Sequence, residues 1–151
     1  MHISSFLLFR LFLAVAMILS SAAACTTVSL AQTTGTVKIV MRGMRSNAGL
    51  MRVALFSEHN VFPSDKPMFG ATAAIQNKEA TCEFNNVPFG HYAVSVFHDE
   101  NTNEKLDVSI FGPIEQYGFS NGARGIFGPP SFDKAKTSFH EAHKTYIVEV
   151  K

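Results

Sequence analysis

Asp99, Asn101, Asn103 and Asp107 place oxygen-bearing side chains at positions one, three, five and nine of a loop with calcium-site spacing. A hard cation takes six to eight oxygens at about 2.3–2.6 Å, and a curling loop with alternate side chains turned inward can supply them. The backbone carbonyl of Lys105 would serve as position seven, and Glu115 is the nearest downstream carboxylate that could join. Two positions depart from the pattern. Glu104 replaces the glycine that permits the sharp turn at position six, and Ile110 stands where a bidentate Glu closes such loops. The competing reading is a loop whose Asp and Asn side chains cap their own backbone.

Other chemistry is weaker. His98 adjoins the loop and reads as a hydrogen-bonded core histidine or as an orienter of a loop carboxylate. His140 and His143, three apart on extended chain, would point to opposite faces and have no third ligand nearby. Ser95 lacks the glycine-flanked turn of a serine nucleophile. Gly118, Gly122, Gly125 and Gly128 lack the strand–helix setting of a phosphate loop and read as turn glycines around Phe119, Phe127 and Phe132. Cys82 reads as a buried strand thiol.

The elements that would position these residues are strands. Period-two alternation bounded by Gly, Pro and Asn predicts strands over 36–42, 50–57, 71–76, 80–84, 90–98 and 145–150, with a further short one over 137–140. In 36–42, Val37, Ile39 and Met41 alternate with Lys38, Val40 and Arg42; in 90–98, Tyr92, Val94, Val96 and His98 share one face. No segment sustains a helical stripe. The expectation is all-β: a single antiparallel β-sandwich of about seven strands, immunoglobulin-like or transthyretin-like, with a small barrel as the alternative. Residues 99–136 form the long irregular stretch, and function, if localised, belongs there. Neither repeats nor low-complexity tracts are seen.

At the N-terminus, residues 11–19 form an unbroken apolar run after Arg10, and small residues follow. That order predicts a secretory signal, with a signal-peptide helix over 1–31 and the β-sandwich domain over 32–151. The run is too short to span a bilayer, so no integral membrane segment is expected once it is removed. Cleavage after Ala31 gives a free periplasmic or extracellular protein; cleavage before Cys25 would give a lipoprotein. On the first reading Cys82 is the single remaining thiol, so no intramolecular disulfide forms. A net charge of +1 over 151 residues, with no basic stripe, excludes a nucleic-acid partner.

Four stretches together resemble a known family: 84–93 (FNNVPFGHYA), 98–107 (HDENTNEKLD), 113–121 (PIEQYGFSN) and 130–135 (PSFDKA). The chain is similar to the bacterial domain of unknown function 2141. The resemblance implies an exported single domain of β-sandwich type, akin to transthyretin-like and carboxypeptidase regulatory-like modules, and supplies no catalytic residue to carry over. Members commonly have Gly where Glu104 stands. The functional expectation is an exported non-catalytic binding or accessory module, calcium-stabilised through residues 99–107, with a protein or glycan partner. One alternative is a small metal-assisted hydrolase using Asp99, Asp107, Glu115 and His98; another is a purely structural envelope protein. Without a nucleophile–base pair in the sequence, the expectation is that the chain is not an enzyme.

Overall fold

A computed structural model describes residues 33–151. The predicted signal segment, with its helix and Cys25, lies outside the described residues. Alternation of side chains builds the domain. In β1 (Thr34–Arg42), Val37, Ile39 and Met41 are fully buried, while Lys38 and Arg42 pair with Glu83 and Glu79 on the solvent side. β2 (Leu50–Ser57) and β5 (Gly90–Asp99) turn Met51, Val53 and Leu55, and Tyr92, Val94 and Val96, into the same core.

β1 lies between β4 (Glu79–Pro88) and β10 (His143–Glu149) in a three-stranded sheet. The second sheet runs β3 (Phe69–Ala74), β2, β5, β8 (Tyr117–Phe119), with β9 (Thr137–Phe139) also on β5. Side chains of both sheets meet in one core, so the architecture is the expected β-sandwich. Each large aliphatic or aromatic side chain fully enclosed there, such as Ile39, Leu55 or Phe139, contributes about 1.5–3 kcal/mol.

The structure adds the short strands β6 (Val108–Ser109), β7 (Gly112–Pro113) and β8 and shifts several strand ends, and two further differences concern pairing and position. β1 and β10 pair in parallel, Thr36 opposite His143 through Arg42 opposite Glu149, inside otherwise antiparallel sheets. Parallel pairing needs a long connection, and these two strands are separated by nearly the whole domain. The strand predicted over 71–76 occupies Phe69–Ala74, because Asn77 and Lys78 take positive φ in a two-residue turn closed by reciprocal Gln76–Glu79 hydrogen bonds.

β5 has an interrupted outer edge. β9 pairs with Gly90, His91 and Tyr92, and β8 pairs with Ser95, Val96 and Phe97. The N–H of Val94 falls between them. Buried Ser120, in a single turn of 3-10 helix (Ser120–Gly122), fills the gap: its Oγ accepts from Val94 N at 2.8 Å and donates to Ala135 O at 2.7 Å. Ala135 ends the short helix α1 (Phe132–Ala135). That helix and β8 cover the outer face of β5 with a second apolar cluster around Ala93, Phe119, Ala123 and Ala135, into which Phe62 packs edge-on against Phe119 and Phe132. Ser120→Ala strands a buried donor and a buried acceptor, each costing about 1–3 kcal/mol. We expect about 2–4 kcal/mol of lost stability in urea unfolding, whereas Ser138→Ala, at an exposed position of β9, changes it by under about 0.5 kcal/mol.

Candidate functional site

β5 ends at Asp99, and the chain curls through residues 100–107 before a tight hairpin of β6 (Val108–Ser109) and β7 (Gly112–Pro113). The loop is held by carboxylates facing backbone. Asp99, buried, accepts the N–H of Asn103 at Oδ1 and that of Glu104 at Oδ2, both at 3.0 Å, and Arg52 Nε at Oδ2 at 2.8 Å. Glu115, also buried, braces both ends: Oε1 accepts Glu100 N at 2.9 Å and Oε2 accepts Asp107 N at 3.0 Å. Asn101 and Asn103 close local turns onto Asn103 N and Lys105 N, and both aim their Nδ2 groups at the Asp107 carboxylate, at 2.8 and 2.9 Å.

The six residues expected around calcium are thus neighbours, joined through hydrogen bonds. Both oxygens of Asp99, Asp107 and Glu115 already accept N–H donors, and the Arg52 guanidinium supplies the positive charge beside Asp99. Two Asn amide N–H groups face Asp107 where a cation would need oxygens. Among the described residues no three His, Cys, Asp or Glu side chains group to hold a metal. Thr102 and Glu104 take φ of 59° and 70°, so Glu104 adopts the left-handed conformation normally left to glycine.

His98 is fully buried on the inner face of β5; its Nε2 donates to Ala48 O at 2.7 Å, and Nδ1 lies 3.4 Å from Glu100 Oε1. Arg45 holds the same Glu100 carboxylate and caps Ile114 O. His140 stacks edge-on against Phe89 and His91, apart from His143 at the start of β10. Cys82 is half-buried on β4, and burial, with Glu83 beside it, pushes its thiol up to about 11, leaving it protonated at neutral pH.

The feature the sequence reading missed lies beyond the loop. Ile110-Phe111-Gly112-Pro113 and Ile126-Phe127-Gly128-Pro129 are the same tetrapeptide, a repeat too short to register beside domain-scale periods. The two copies share a positive φ at their glycine, 117° at Gly112 and 121° at Gly128, a conformation that favours glycine; the first closes the β6–β7 hairpin and the second lies in an irregular bend. Both display Ile and Phe at their tips: Ile110 is 92 % exposed, Phe111 93 %, Ile126 84 % and Phe127 102 %. Between them runs a groove of about 590 Å³, floored by Ser95, Phe97, Tyr117 and Phe119 on the outer face of β5 and β8. Among the described residues, its lining holds no ionisable side chain except the Tyr117 phenol. A second depression of about 530 Å³ shares Ser64, Ser95 and Phe97 and reaches Arg52, Asp65 and Glu104.

Residues 39–147 match the model of an uncharacterised family conserved in bacteria, DUF2141. The chain belongs to DUF2141. No curated protein and no solved structure matches it. The resemblance first drawn from four stretches therefore holds across the β-sandwich, and the groove and the loop of this DUF2141 member both fall inside the matched span. Among the described residues no helix is long and apolar enough to cross a membrane.

The Arg52–Asp99 pair makes stability pH-dependent. Burial works to raise the Asp99 carboxyl, but Arg52 and the N–H groups of Glu104 and Asn103 outweigh it and hold it below the ordinary carboxylate range. Arg45 likewise holds Glu100 low. A carboxyl depressed by folding contributes in full above its unfolded value, near 4, and loses that contribution as pH falls through the folded value. We expect urea midpoints to be flat from pH 7 to about 5 and to fall below about pH 4. Arg52→Gln should be about 2–4 kcal/mol less stable at pH 7, with the deficit shrinking in acid.

Proposed function

We infer that this protein is an exported, non-catalytic binding module that takes an apolar ligand in the groove between the two Ile-Phe-Gly-Pro turns. The groove carries the reading. Its volume lies within the range of about 300–1,000 Å³ usual for small-molecule sites, and its floor is aromatic with a few hydroxyls. Ser64 and Ser95 are the only aliphatic hydroxyls lining it, and no carboxylate, imidazole or thiol lines it to activate them. That chemistry suits retention of an apolar chain or ring and gives a hydrolytic step no base. Export is supported by the signal-like order of residues 1–31, which would place the groove in the periplasm or outside the cell.

The test is titration of an environment-sensitive apolar dye, with displacement by long-chain fatty acids. Dye emission should rise with a single site per chain. Ser95→Phe, which fills the floor from an outward-facing position on β5, should weaken dye affinity about tenfold or more while leaving the melting midpoint within a few degrees. Equal dye binding by Ser95→Phe would sink the groove as the site.

Calcium stabilisation of the 99–107 loop is a second reading, favoured by the left-handed backbone at Thr102 and Glu104. A loaded loop would need Asn101 and Asn103 to rotate amide oxygens toward the centre they share with Asp107. Melting in calcium and in chelator decides it. Binding to the folded state alone raises the midpoint once calcium exceeds a dissociation constant of about 10⁻⁴–10⁻³ M. A loop held by its own hydrogen bonds gives the same midpoint in both. Glu104→Gly, which removes the left-handed strain of about 1–2 kcal/mol and an exposed ion pair with Arg52, should then stabilise the protein by up to about 1 kcal/mol without calcium.

A further inference from the structure

We propose that the two Ile-Phe-Gly-Pro turns are membrane fingers that insert Ile110, Phe111, Ile126 and Phe127 into the interfacial region of a lipid bilayer. This deepens the binding reading above and rests on it: with the fingers inserted, the mouth of the groove opens toward acyl chains.

Three observations favour a lipid surface over a second copy or another protein. The first is shape. Apolar exposure of this extent marks an interaction site, and here it stands on two separate prominences flanking a hollow. Prominences enter a fluid phase without needing a complementary rigid surface. Second is charge. Residues 108–114 and 123–131 contain no acid and one base, Arg124, which sits beside the second finger with its guanidinium 6.0 Å from the Tyr117 ring centroid. Neither tip carries a carboxylate that would have to be desolvated, and Arg124 can meet a lipid phosphate. Third is the backbone. Polar main-chain groups must find partners before they enter an apolar phase. At the first tip Ser109 Oγ accepts from Phe111 N at 3.2 Å and donates to Gly112 O at 3.0 Å. Pro113 follows the first turn and Pro129 and Pro130 the second, so those positions carry no N–H to satisfy.

The protein contains no Trp, so one can be introduced as a unique reporter. Phe111→Trp, Phe127→Trp and, as a control on the outer face of the other sheet, Ile147→Trp are mixed with vesicles of phosphatidylcholine and phosphatidylglycerol. Both tip reporters should shift to the blue and be quenched by brominated lipid, while the Ile147 reporter does not respond. Phe111→Ser and Phe127→Ser should each weaken vesicle partitioning about tenfold and together abolish sedimentation with vesicles. Their melting midpoints should match the parent, since the replaced rings touch no core. Absence of a tip shift while the apolar dye still enters the groove overturns the membrane inference and leaves the groove reading standing. A blue shift that grows with protein concentration without vesicles identifies a second copy as the occupant, and overturns it too. So does sedimentation through residues 1–31 alone, which would carry the protein down with both tip reporters unshifted.

Discussion

One buried N–H of the central strand β5 and four N–H groups of the loop that leaves it depend on side-chain acceptors. Its outer edge is paired in two pieces, and its end runs straight into a curled loop. Ser120 Oγ takes Val94 N, Asp99 takes Asn103 N and Glu104 N, and Glu115 takes Glu100 N and Asp107 N. Val94 N is buried, and leaving it unmet would cost about 1–3 kcal/mol; the loop N–H groups are half-exposed, so each of their bonds contributes less, and together they set the path of the chain. The positions of β6, β7, β8 and α1 all follow from them. Ser120 binds both β5 and the last residue of α1; Glu115 ties the start of the loop to its exit at the β6–β7 hairpin.

Much of the sandwich was legible because its long strands obey period two over enough residues for alternation to stand out. The face assigned to Tyr92, Val94, Val96 and His98 is the inner face of β5, and 50–57 matches β2 to the residue. β6, β7 and β8 were not legible, since they are two or three residues long and lie in the glycine-rich stretch without alternation, whereas the equally short β9 was read from 137–140. Nor was the parallel β1–β10 pair, because nothing local in either strand distinguishes a parallel neighbour from an antiparallel one.

The site divides along similar lines. The spacing of Asp99, Asn101, Asn103 and Asp107 announced a polar loop, and Glu115 stood out as the downstream carboxylate that could join it. What the sequence could not reveal was Arg52, 47 positions before Asp99, whose guanidinium supplies the carboxylate's counter-charge. The groove was hidden for a different reason. Turn residues are ordinarily polar, so Ile-Phe at a turn tip reads as core, and Gly125 and Gly128 drew attention as flexible punctuation. Two copies of one tetrapeptide at matching left-handed glycines carry information only when their exposure is known.

The polar loop and the apolar turns are two halves of one construction. A hydrophobic tip on a floppy loop would fold back onto the nearest apolar surface, here the aromatic floor of the groove, and would lose conformational entropy on binding. The first finger is denied that freedom. Its base at Asp107 and Ile114 is held on opposite sides of the hairpin, Asp107 N by Glu115 and Ile114 by a backbone bond to Asp107 O, while Arg45 holds Ile114 O. The second finger is tightened differently, since a Cβ on Gly125 would lie 2.0 Å from Gly128 O and the turn has no room to relax with any other residue there. Buried carboxylates are costly to keep in a small domain, and Asp99 and Glu115 are kept where they stiffen the wall from which the apolar tips project.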